Sequence, residues 1–361
     1  MAKRRWLAPW RDSALKPSIY HCVSRVVDKR HAFGPAEKEK LRAHLRMQEN
    51  FSGCRVLAYC LMCNHIHVLL EVPPMPAGGL SDAELLKRLG ALYPAAAVAE
   101  TAALLARARQ AGNSAEAARI HARFAYRMHD LGEFMKGWLQ RFTQWFNRAH
   151  ERTGGLWEDK FKSVLVEDGH AAKTVAAYID LNPVRAGIGQ DPASYRWSSY
   201  GEAVGGGAGG GGKKARAGLV RALRAHRGVA ADARHWPGDV EVEYRMILLD
   251  GALERTEERA GKGGEVDIRC LRKGMTRKQA EREKRAAAEG VPAQVSGMLR
   301  HRVRYFVDGV VVGSRGFVDE VFTQCRERFG PKRRTGARRM RGAGAAAAGL
   351  LWSLRDLRAD T

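Results

Sequence analysis

The chain has no apolar run approaching the ~18 residues that a membrane-spanning helix needs, so no bilayer span is expected. Residues 1–6 carry Lys3, Arg4 and Arg5 with no apolar stretch behind them, which gives no secretory leader. A cytoplasmic, nucleoid-associated protein is the expectation. Cysteine is sparse: Cys22, Cys54, Cys60, Cys63, Cys270 and Cys325 show no spacing of a disulfide framework. Cys60 and Cys63 form a C-x-x-C, but no second pair completes a zinc site. They also fall in a strand pattern, where a redox motif would open a helix, so both read as small apolar residues. Acidic residues are in deficit: 39 Asp and Glu stand against 62 Lys and Arg, a net charge of +23. Such an imbalance says little about fold. It says that polyanions concentrate on the surface, nucleic acid first among them.

What is present is enough to fold. Hydrophobic residues make up 45% and charged residues 28%, the mix of a soluble folded protein. At about 150 residues per domain, 361 residues suggest two or three domains. The run from Gly205 to Gly212, broken only by Ala208, has almost no side chains to pack and reads as a linker. The expected division is a first domain over 1–203, a linker over 204–217, and a basic, mainly helical C-terminal domain over 218–361 that binds DNA or a partner.

In the first part, residues 19–27 read as a strand and 35–51 as a helix closed by Gly53. Two apolar runs, 55–62 and 66–72, flank Cys63-Asn64-His65 and read as adjacent strands. Pro73, Pro74 and Pro76 then stop the sheet. Residues 81–123 read as helix, opened by Ser81. A second long helix, 131–148, is capped by Asp130 and carries Phe134, Leu139, Phe142, Trp145 and Phe146 as its stripe. Residues 157–166 return to strand character, and 171–181 form a helix that Asn182-Pro183 should end. Without an insertion at 73–130, the order is β-α-β-β-α-β-α. That predicts the α+β class with a ferredoxin-like antiparallel sheet. In the second part, residues 304–307 and 310–312 flank Asp308-Gly309 as an expected hairpin. Ser314 is expected to cap a helix bearing Val318, Val321, Phe322 and Cys325. Lys332, Arg333, Arg334, Arg338, Arg339 and Arg341 beyond it read as a phosphate-binding arm.

The chemistry centres on His65-Ile66-His67. In a strand, residues two apart share a face, so both imidazoles project together while Ile66, Val68 and Leu70 face the opposite core. Two such histidines offer adjacent metal ligands, although H-x-H alone is a weak signal. Tyr178 and Asn182 are four apart on a helix and share a face. A phenol oxygen there can attack a phosphate, and a carboxamide oxygen can complete a ligand set. Each residue also has an ordinary reading, as a core aromatic and a helix-ending residue.

Together, Asn64 to Leu70 and Tyr178-Ile179-Asp180-Leu181-Asn182-Pro183-Val184-Arg185-Ala186-Gly187 resemble the HUH single-tyrosine transposases, most closely the REP-associated subgroup. Tyr20 to Arg25, Leu156 to Phe161 and Tyr195 to Tyr200 match in the same order, so the resemblance covers about residues 15–202. Cys63 departs from the proline common before Asn-His, and the 73–130 segment is longer than in compact members. The resemblance implies an HUH nuclease core acting as a single-stranded DNA endonuclease in DNA transposition and recombination. His65, His67 and Asn182 would hold one divalent cation, Mg2+ or Mn2+. Tyr178 would form a 5′-phosphotyrosine at a hairpin-associated site such as a REP element. Arg25, Lys160, Lys162 and Arg185 are the candidate phosphate contacts; Trp138, Trp145, Trp157 and Trp197 are weaker candidates for base stacking, better read as core. Partners would be single-stranded or hairpin DNA, with a homodimer open. Two rival readings are a DNA-binding regulator that does not cut and a histidine-metal hydrolase with further ligands on other strands.

Overall fold

The structure is a computed structural model that describes residues 6–12, 16–205, 212–224, 238–260, 266–272, 274–287, 305–339 and 351–354. Residues 206–211 of the glycine run, Arg304 of the expected hairpin and Arg341 of the basic stretch lie outside them.

Four strands build the centre: β1 (Ser18–Arg25), β2 (Arg55–Leu61), β3 (His65–Val72) and β4 (Lys162–Val166). Their order is β2-β3-β1-β4 and every neighbour is antiparallel. This is the ferredoxin-like arrangement that the element order predicts. Only the second half of the expected 157–166 strand forms; Trp157 contributes an isolated bridge to Val26.

Alternation divides the strands between two cores. Tyr20, Cys22, Ile66, Val68, Leu70 and Leu165 point to one face. There they meet α1 (Pro35–Ser52) and α5 (Leu131–Ala149), whose buried stripe includes Phe134, Trp138, Phe142 and Phe146. Proline at the first turn starts α1, and Gly53, at φ 73°, ends it in the left-handed conformation that glycine adopts freely. Asp130 caps α5 by accepting from the Glu133 N–H at 2.7 Å. Trp138 is fully buried and donates to the Leu41 carbonyl at 2.9 Å, which makes it core and removes it as a base platform. The opposite face receives Ile19, Leu69, Val164 and Val166, covered by α6 (His170–Asp180). This second face carries the candidate site.

The insertion is three helices rather than one: α2 (Asp82–Leu89), α3 (Ala95–Gln110) and α4 (Ser114–Ala125). Pro94 resets the chain before α3, and Gly112, at φ 64°, turns it before α4. Leu85, Leu89, Leu105, Ile120 and Phe124 close a small core of their own with Phe51.

After α6 the chain makes one further helical turn, α7 (Asn182–Arg185), instead of stopping at Asn182. Pro183 fits there because a first-turn residue needs no amide hydrogen. Short helix α8 (Ser199–Gly205) precedes the glycine run, and α9 (Lys213–Arg224) follows it. The chain beyond that run packs on the same core. Helix α9 lies on β2 so closely that a Cβ on Gly218 would meet the carbonyl oxygens of Val56 and, at 2.9 Å, Leu57. Gly218→Ala should therefore cost about 1–3 kcal/mol despite alanine's better helix propensity. Chemical denaturation of the two proteins measures this directly, and an unchanged midpoint would contradict the close approach.

The rest of the second part mixes helix and strand. It contains α10 (Gly238–Ala252), a separate hairpin of β5 (Arg255–Ala260) and β6 (Val266–Arg272), and α11 (Arg277–Ala287). The hairpin expected around Asp308-Gly309 does not form. Its first arm is a single helical turn, α12 (Tyr305–Asp308), and its second leads into β7 (Val311–Gly313), which pairs in parallel with β4. Val311 and Val312 reach fuller burial beside β4 than a two-stranded hairpin provides. Helix α13 (Arg315–Gln324) follows, with Ser314 accepting from the Phe317 N–H at 3.2 Å as expected. Strands β8 (Arg338–Arg339) and β9 (Trp352–Leu354) extend the sheet to β2-β3-β1-β4-β7-β9-β8. Among the described residues, no helix is long and apolar enough to cross a membrane.

Candidate active site

Strand β3 places His65 and His67 on the face covered by α6, with Ile66 fully buried on the other. The two imidazole rings lie 5.0 Å apart between centroids, His65 partly open and His67 buried. Helix α6 carries Tyr178 over the same face; its ring centroid is 6.1 Å from that of His67 and nearly perpendicular to it. Asn182 sits one turn further on. Its side-chain nitrogen donates to the carbonyls of Tyr178 and Ile179, at 3.2 and 3.1 Å, leaving its carbonyl oxygen as the atom free to face a ligand.

The two imidazoles are donors that a divalent cation accepts, and taken alone they suit zinc or a later transition metal. Burial, with the Arg25 charge adding to it, pulls His65 down to about 4, so it is neutral at physiological pH. The Asn64 amide is oriented by its own N–H bond to the Lys29 carbonyl at 2.9 Å, so its oxygen accepts from His65 Nδ1–H at 2.7 Å. The lone pair of His65 is then on Nε2. His67 is held well below the usual histidine range by burial and then by the neighbouring charges of His21, His65, Arg25 and Arg185. Among the described residues no three His, Cys, Asp or Glu side chains gather as a closed metal cage. What stands together on the sheet is the pair of neutral imidazoles, with Asn182 one turn beyond Tyr178 on the helical side.

The expected phosphate contacts are distributed unevenly. Arg25 ends β1 directly opposite His65 in the strand register, and it is exposed. Arg185 places its guanidinium carbon 4.5 Å from the centre of the Tyr178 ring. Lys162 opens β4 beside Val23, which in turn pairs with His67, so it stands in the same row on the sheet. Lys160 precedes the strand, exposed, with its backbone N–H bonded to the Asp159 carboxylate. Trp145, Trp157 and Trp197 are half-buried against the α1–α5 core, consistent with reading them as structural.

Three residues matter here without having been singled out in the sequence. His21, from β1, forms a triangle with Tyr178 and His67, with ring centroids 6.0 and 5.2 Å away. Phe306, from α12, packs its ring 5.0 Å from that of Tyr178. Asp180 is fully buried and pushed up to about 7 by that burial, against the pull of the Tyr200 N–H and the Tyr244 hydroxyl at 3.0 and 2.7 Å. It fastens the end of α6 to α8 and α10. The alternation of β1 was the available signal for His21, since it shares a face with Val23, the partner of His67. Nothing local marks Phe306.

Residues 15–77 match the family described as "Transposase IS200 like". A solved chain described as "Structure of the REP associates tyrosine transposase bound to a REP hairpin" aligns with 57% of this chain and 85% of its own, at 10% identity and a TM-score of 0.35. No curated protein matches. Over β1, α1, β2 and β3, the segment that carries the histidine pair, the chain is similar to the IS200-like transposases.

Proposed function

We propose that the protein is a transposase that cuts and rejoins single-stranded DNA beside a hairpin through a covalent bond to Tyr178. The observation that carries this reading is the perpendicular approach of the Tyr178 ring to His67, within one chain and on one face of the sheet. The family match over the histidine strand supports it, and so does the net charge of +23.

The phenol oxygen of Tyr178 attacks phosphorus, the bond to the 3′-oxygen breaks, and the DNA 5′-phosphate stays joined to the protein. The net proton transfer is from phenol to 3′-oxygen. A second transesterification, by a DNA 3′-hydroxyl, reverses these bonds and releases Tyr178. The energy of the phosphodiester is retained throughout, so no nucleotide is consumed. A divalent cation on His65, His67 and Asn182 would offset the charge that develops on the phosphate oxygens. Arg185, over the tyrosine ring, and Arg25, opposite His65 in the sheet, contact the phosphate. Beyond them, Arg338 and Arg339 on the exposed edge strand β8 offer backbone phosphates a further contact. A hydrolase built on the histidines has no use for the tyrosine packed against them.

The test is incubation with end-labelled hairpin DNAs taken from the palindromic repeats around the gene, with Mn2+ or Mg2+. A protein–DNA adduct stable to denaturation, mapping to Tyr178 by peptide mass, is the expected result. An adduct on any other residue refutes the assignment. Specific binding to those hairpins with no cleavage on any of them points instead to the non-cutting regulator.

A further inference from the structure

We infer that His21 is a positioning residue that, together with the Phe306 carbonyl, fixes the proton of His67 on Nδ1 and so presents the Nε2 lone pair to the site. The inference rests on the reading of His67 as a cation ligand. It adds the device that prepares the ligand, and it draws that device from the far end of the chain.

The argument is a sequence of donors and acceptors. His21 Nδ1 lies 2.6 Å from the backbone carbonyl oxygen of Phe306, which can only accept. His21 Nδ1 therefore carries a hydrogen. The ring is fully buried, with no carboxylate acting on it among the described residues, so a second hydrogen would leave an uncompensated charge in the core. Its Nε2 is consequently a bare acceptor. That nitrogen lies 3.0 Å from His67 Nδ1, which must then be the donor. A neutral His67 with its hydrogen on Nδ1 has its lone pair on Nε2. Had Phe306 presented an N–H here instead of a carbonyl, both rings would take the opposite tautomer and His67 Nε2 would carry a hydrogen. A carbonyl in α12, nearly 300 positions along the chain from β1, thus determines what the sheet offers to a cation.

Three consequences separate this from a packing role. The metal-free native chain, labelled with 15N in its histidines, should show His67 protonated on Nδ1 and bare on Nε2. His21→Phe keeps an aromatic ring in the core but removes the acceptor, and it should weaken Mn2+ binding by about 10–100-fold, the cost of losing an outer partner of a metal-binding histidine. His21→Gln can accept from His67 and donate to Phe306 through one amide, and it should restore most of that affinity. Calorimetric titration of the full-length proteins reads both effects, and a cooperative thermal transition shows that each variant folds. A native His67 with its hydrogen on Nε2 would overturn the inference, whatever the variants do. So would an undiminished Mn2+ affinity in His21→Phe. A native chain with the Nδ1 hydrogen in place that takes up no Mn2+ would uphold the relay and remove the cation reading instead.

Discussion

Tyr178→Phe is expected to lower covalent DNA attachment by on the order of 10⁴-fold or more, because no other hydroxyl replaces an attacking group of this kind. The same substitution should leave the fold and DNA affinity nearly as they were. Tyr178 is only 8% exposed, and most of its environment is ring packing: His21 and His67 meet its edges, Phe306 lies 5.0 Å away, and Arg185 stands over it. Phenylalanine keeps all of these contacts. Hairpin binding measured by anisotropy should change by no more than about twofold, within the range of substitutions that create neither cavity nor unpaired charge. Denaturing electrophoresis reads the adduct. Loss of attachment with parallel loss of binding would mean that the hydroxyl serves recognition, and the nucleophile would have to be sought elsewhere.

Arg221→Ala should destabilise the protein by about 3 kcal/mol or more, the penalty for stripping one partner from a buried ion pair. Arg221 belongs to α9, beyond the glycine run. Its guanidinium donates to Glu71 on β3 at 2.5 Å and grips both oxygens of Asp168 at 2.9 and 3.1 Å. Arg221 and Glu71 are 9% and 5% exposed, so alanine leaves a carboxylate in the core with, among the described residues, Arg55 at 3.0 Å as its remaining ion-pair partner. Replacing the whole pair tells the rest. Glu71→Leu combined with Arg221→Met should recover much of the lost stability, since an apolar pair of similar volume avoids the desolvation cost. Urea unfolding of the native protein, Glu71→Leu, Arg221→Met and the double variant closes the cycle. Additive losses in the double variant would show that the pair is not buried as one unit.

The parts of the architecture that repeat a short period were legible in the residues. Strict alternation put His65 and His67 opposite Ile66, and the four-residue spacing of Tyr178 and Asn182 put them on one helical face. Caps such as Asp130 and Ser314 were equally local. The breaks at Pro94 and Gly112 carried signals too, but alanine-rich flanks made 81–123 read as one helix. The pairing of β7 with β4 and the whole of β9 were not legible, because three residues hold no period, and their partners lie far along the chain. The same limit hid the role of Phe306. Its contribution to the site is a carbonyl, and every residue has one. The glycine run signalled separation, yet the Arg221 ion pair and the Gly218 contact draw α9 onto the sheet. Flexible composition in a connector says nothing about whether the elements on either side of it dock.

The parallel pairing of β7 with β4 and the arrival of Phe306 beside His21 have a consequence for synthesis. A ribosome releases the histidine pair and Tyr178 long before it releases residue 306. Until then β4 is an open edge and the His21 imidazole lacks its acceptor. On the function proposed above, the hydrogen that readies His67 would be fixed in place only as residue 306 and the strands after it emerge and extend the sheet.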